Sequence, residues 1–165
     1  MANKVYVARE TTVVFGSEVG DDVAWSTESI TDTNGRQSAL HDFGASSMSR
    51  IYEYRFHTQA QATPTLGEPC ELYMKTALVS DGHPDNDDGT GDAAVSSSDK
   101  LKNLKFLIPA LCDEAAANIE FVASGILQLL AREVAFVFLN NLGATITTDD
   151  TETKLHLTPA PPEVQ

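Results

Sequence analysis

The stretch DGHPDNDDGTGD, residues 81–92, gathers five aspartates, three glycines and His83 into twelve positions. Calcium takes six to eight oxygens, commonly from carboxylates spaced two apart, with a glycine allowing the sharp turn. Asp85 and Asp87 have that spacing, and Asp88 and Gly89 follow, so Asp85, Asp87 and Asp88 are the weak calcium candidates of the chain. An EF-hand register starting at Asp85 fails, however. Its sixth position is Thr90, where glycine is needed, and its twelfth is Ser96, where glutamate is needed. Catalysis by these carboxylates would require a pKa raised by burial, and this glycine-rich acidic segment has no apolar wall to raise it. The expectation is a solvated connection without an essential metal, in which Gly, Asp and Asn supply turn conformations.

The remaining reactive side chains are dispersed. His41, His57, His83 and His156 stand far apart, and a metal-dependent cupin would need histidines clustered on one strand with a carboxylate. His57 and His156 fall on expected strands and read as surface or partly buried strand residues. Cys70 and Cys112 lie in apolar stretches and in no metal-ligand spacing, so both are expected to be buried free thiols. There is no nucleophile elbow, phosphate loop, HExxH or GxGxxG. No catalytic residue is nominated, and no cofactor is expected.

The elements that would carry these residues are strands. In RIYEYRFHTQAQA, residues 50–62, Tyr52, Tyr54 and Phe56 share one face, and Ile51, Glu53, Arg55 and His57 take the other. TPTLGEP follows as a turn. In CELYMKTALV, residues 70–79, Cys70, Leu72, Met74, Thr76 and Leu78 face one way, and Glu71, Tyr73 and Lys75 the other. TTVVF, DVAWS and RQSALHD are shorter strands, the last two separated by the turn TDTNGR with its Asn34-Gly35 pair. Pro109 within LKNLKFLIPALC fits an edge strand or a bulge. REVAFVFL, ATITT and TKLHLTP read as a β-meander with NNLG as its first turn. DEAAANIEFVASGILQLLA fits a helix capped by Asp113, since short apolar runs satisfy both periods, but Ser124-Gly125 interrupts it and Ile119, Phe121 and Ala123 alternate, so the preferred reading is a helical turn at residues 114–117 followed by a strand. Eight to ten short strands with little helix predict a single all-β domain, a two-sheet jelly-roll sandwich of about eight strands. Residues 1–8 are expected as an N-terminal arm and residues 159–165 as a proline-rich extended tail.

With 165 residues and 42% hydrophobic content, the chain can bury a real core. Its 24 acidic against 11 basic residues give a net charge of -13. So negative a surface repels nucleic-acid backbones and anionic lipid, so neither is expected as a partner. The opening residues have no apolar core of a signal peptide. The apolar run of residues 121–139 is interrupted by Gln128, Arg132 and Glu133, which excludes a membrane span there.

The segments RETTVVFGSEVGDDVAWS, YRFHTQAQATPTLGEPCELYMKT, DNDDGTGDAAV and LTPAPPEVQ together resemble the small jelly-roll cement or decoration proteins of tailed bacteriophages. The likeness covers most of the chain and lies in the order of strands and loops. It implies a non-enzymatic virion protein on the outer surface of the capsid, where it stabilises the shell. Its partners would be the major capsid protein and copies of itself, as a dimer or trimer. Termini enlarge the reach of so small a sandwich. Val5, Tyr6 and Val7 could add a strand to a neighbour's open edge, and Pro161, Pro162 and Val164 form a pre-extended tail, so these six are the expected contacts. The alternative is a tail or fibre-tip jelly roll binding host-cell carbohydrate through exposed Trp25, Tyr73 or Tyr6. Ordinary sandwich packing is the preferred reading for each of those aromatics.

Overall fold

The computed structural model describes residues 11–44, 51–77, 91–95, 101, 102, 104–129 and 131–160. The strands are β1 (Val13–Gly16), β2 (Val23–Ala24), β3 (Gly35–Gln37), β4 (His41–Asp42), β5 (Ile51–Gln59) and β6 (Pro69–Ala77), then β7 (Ala93–Ala94), β8 (Lys105–Leu111), β9 (Glu120–Gln128), β10 (Glu133–Asn140) and β11 (Lys154–Pro159). They form a five-stranded sheet in the order β2-β1-β11-β5-β9 and a six-stranded sheet in the order β7-β3-β10-β6-β8, with β4 also on β10.

Four nested antiparallel pairs organise this order. β1 pairs with β11, β3 and β4 with β10, β5 with β9, and β6 with β8. The first half of the chain thus pairs with the second half in reverse, as one long ribbon. Pairing of β11 with β5 and of β10 with β6 rolls that ribbon into two facing sheets. This is the jelly-roll order, in two sheets as expected. The addition to it is β2, which lies parallel to β1.

Period-two patterning explains how the sheets meet. β5 alternates exposed and buried, with Tyr52, Tyr54 and Phe56 inward. Phe15, Phe56, Leu155 and Leu157 of one sheet and Leu72, Met74, Phe136 and Phe138 of the other enter the same core. Phe15 meets Phe136 edge-on at 5.0 Å between ring centres, and Phe56 meets Phe138 at 5.5 Å. Trp25, fully buried, donates its indole N–H to the Arg36 carbonyl at 3.0 Å.

Several expectations change. Residues 114–117 form no helical turn; the chain from β8 to β9 is irregular and turns at Ala117 and Asn118, the latter with a φ of 58°. This segment joins edge strands of different sheets, and there the tertiary context overrides the weak helical preference of its alanines. The last third is not a meander, because β10 and β11 lie in different sheets. Phe136 and Phe138 must face Leu155 and Leu157 across the core, which side-by-side pairing would prevent. ATITT supplies only an isolated bridge from Ile146 to Ala60. The TDTNGR turn is real but crosses between sheets, and its left-handed residue is Thr33, at φ 64°. Pro109 does sit on an edge strand, β8, opposite Glu71. Pro159 still belongs to β11, opposite Tyr52, and the Ala160 N–H donates to the Ile51 carbonyl at 2.9 Å, so the tail begins as sheet.

Candidate functional site

The outer face of the five-stranded sheet collects polar side chains by register. Arg55 lies between His156 and Ser124, and His57 between Lys154 and Val122. Arg55, His57, Ser124, His156 and Thr158 help line a groove of about 820 Å³ on this face. At one end of it, His57 Nε2 is 3.5 Å from Glu120 Oε2 and 3.8 Å from Glu152 Oε2. These ligand atoms all fall within 4.8 Å of one another. β5 supplies the histidine, the first residue of β9 supplies Glu120, and the turn before β11 supplies Glu152. That turn is pinned by Asp149, whose carboxylate accepts from the Thr151 N–H at 2.9 Å and the Thr151 hydroxyl at 2.7 Å.

The charges beside the cluster are arranged to leave it open. Lys154 directs its ammonium to Glu18 and to Asp21 Oδ1, the latter at 3.1 Å. Burial disfavours its charge, but the two carboxylates more than offset this and hold its pKa above the ordinary value. His156 is lowered, first by burial and then by the positive charge of Lys154. One imidazole nitrogen with two carboxylates is a donor set for a divalent transition ion, and equally for a doubly paired imidazolium.

A second feature lies along one margin of the sandwich. β8, of seven residues, and β9, of nine, form the edges of the two sheets on the same side. The opposite edges, β7 and β2, have two residues each. Along the long margin, Phe106 and Leu111 of β8 and Val122 and Ile126 of β9 are exposed, Ile126 at 76%. A shallow groove of about 380 Å³ runs between the two strands. Soluble proteins keep edges short, charged or covered, because open ladders invite pairing with another chain. Among the described residues, the β7 and β2 edges are protected by their shortness, whereas β8 and β9 are long, with Lys105, Pro109 and an irregularity in the β6–β8 pairing as partial protection of β8.

The nominated residues fall elsewhere. Val5, Tyr6, Val7, Asp85, Asp87, Asp88, Pro161, Pro162 and Val164 lie outside the described residues. His57 and His156 are half-buried strand residues, as their positions suggested, and they share one face. Cys70 and Cys112 are free and buried, and burial pushes the Cys70 thiol up to about 12, so it is inert. Trp25 is 0% exposed and cannot be a sugar platform. Tyr73 is half-buried, donating its hydroxyl to Glu71 at 2.8 Å and stacking edgewise on Phe106. Glu120 and Glu152 were missed. The only signal in the sequence was the outward parity of His57; nothing in the spacing of three residues on separate elements announces their convergence.

The fold defines the chain as a two-sheet β-sandwich with jelly-roll strand order. No protein-family model matches the sequence, and no curated protein matches it. Among the described residues, no helix is long and apolar enough to cross a membrane.

Proposed function

We propose that this protein is a non-enzymatic virion component that binds the outer surface of a phage capsid and stabilises it, acting as a cement or decoration protein. The observation that carries this reading is the asymmetry of the sandwich. Among the described residues, one margin ends in two-residue strands, and the other presents two long edges with exposed apolar side chains. A protein that holds shell subunits together needs a side built for contact, on the order of 800 Å² per partner. The net charge of -13 keeps the remaining surface soluble and disfavours nucleic acid as the partner. The partners are the major capsid protein and further copies of this chain. The carbohydrate-binding alternative loses support, because Trp25 is fully buried.

The test is a rebinding assay with shells that lack the protein. The intact chain is expected to cosediment with them at saturable stoichiometry and to raise the temperature at which they release DNA. Binding to host glycans without binding to shells would replace this reading with the tail or fibre-tip one.

A further inference from the structure

We propose that His57, Glu120 and Glu152 form a binding site for one divalent first-row transition ion of the zinc class. Both His57–carboxylate separations, 3.5 and 3.8 Å, exceed the ordinary length of an N–H···O hydrogen bond. They match instead the spacing of ligand atoms around a shared ion. With metal–N and metal–O bonds of about 2.0–2.2 Å, tetrahedral or trigonal ligands stand roughly 3.3–3.8 Å apart. Two of the three separations thus stand at ligated values, and the third, between the carboxylates, lies within 4.8 Å.

Several further observations support a metal. Two carboxylates meet around one imidazole in a chain whose net charge of -13 attracts cations to the protein as a whole. The base opposite His57 in the register, Lys154, is paired with Glu18 and Asp21 rather than with the two carboxylates of the cluster. The side chains come from three elements whose mutual positions are fixed by the β5–β9 and β5–β11 ladders and by the Asp149 turn, which limits the ordering cost of binding. The donor set selects the ion. Imidazole nitrogen suits zinc, copper and nickel, whereas calcium requires six or more oxygens, and this site offers two carboxylates. Three protein ligands leave the remaining position to water, since His57 also borders the open groove.

The experiment is isothermal titration of the full chain with zinc chloride and, separately, with calcium chloride. Zinc is expected to bind at one ion per chain and calcium to give no saturable heat. H57Q and the E120Q/E152Q double variant should bind zinc at least about tenfold more weakly, since losing even an outer-shell partner of a ligand costs about that much. D85N/D87N should bind like the wild type. Undiminished zinc binding in H57Q or in E120Q/E152Q, selective loss in D85N/D87N, or no saturable binding by the wild type would overturn the proposal. Circular dichroism checks that the variants fold. On the wild-type protein alone, zinc should shift the ring nitrogen resonances of His57 ahead of those of His41 and His156; any other order overturns the assignment.

Discussion

Asp92 shows what a carboxylate in the acidic segment can do once it has partners. Its Oδ1 accepts from Arg36 Nε at 2.6 Å, and its Oδ2 accepts from the backbone N–H of Ser26 at 3.0 Å and from the Ser26 hydroxyl. The carboxylate thereby ties the chain before β7 to the chain leaving β2 and to β3. Burial raises its pKa, but the hydrogen bonds from Arg36 and Ser26 outweigh burial, so the net shift is downward. A folded value below the unfolded value of about 3.9 means that the native state binds fewer protons there. The contribution is therefore complete above about pH 4 and is lost as pH falls through the folded value. Asp92→Asn should cost about 1–3 kcal/mol in urea unfolding at neutral pH, with the gap to wild type narrowing below about pH 4. A constant gap down to about pH 2 would show that the charge contributes nothing.

At the scale of the element, β10 is the strand buried on both faces. Val134, Phe136 and Phe138 point into the core, while Ala135 and Val137 face outward and are still buried. On that outer side Lys75, from β6, donates to Gln37 Oε1 at 2.8 Å, and Gln37 Nε2 donates to the Gly91 carbonyl at 2.7 Å. Both side chains are 0% exposed. The relay crosses β10 from β6 to β3 and on to the segment bearing β7. A lysine predicted on the outward face of β6 is thus outward but dry, and its charge requires acceptors there. Gln37→Ala removes one acceptor and one donor from this buried row. It should destabilise the fold by about 2–4 kcal/mol, more than a surface substitution can. Thermal unfolding within about 0.5 kcal/mol of wild type would mean that the row is solvated in solution.

For the molecule as a whole, the unequal margins predict self-association. The β8–β9 side offers ladder groups and apolar side chains together, and pairing with a second copy would satisfy both. Sedimentation velocity should show a concentration-dependent dimer or larger oligomer. Leu111→Lys with Ile126→Lys should shift the distribution to monomer, because both side chains are exposed and a buried charge at an interface is costly. Stability should change by no more than about 0.5 kcal/mol for each exposed site. An oligomer unaffected by the pair would place self-contact elsewhere.

Alternation in residues 50–62 and 70–77 determined by itself which side chains point inward, because strand geometry has a period of two that needs no knowledge of partners. The buried thiols, the edge position of Pro109 and the fully β character were legible for the same local reasons. Partner choice was not. A ribbon rolled into two sheets pairs β1 with β11 and β5 with β9 across long sequence separations, and only the closure of a common core selects those pairings over a meander. The helical turn expected at residues 114–117 gave way to an irregular connection between two sheet edges. Lys75 was placed on the face opposite Cys70, Leu72 and Met74, but its full burial there was not legible, because burial of an outer face depends on chain that crosses it. The His57, Glu120 and Glu152 cluster exists only through tertiary structure: no spacing along the chain encodes it, and the β5–β9 and β5–β11 ladders with the turn before β11 bring the three residues within 4.8 Å.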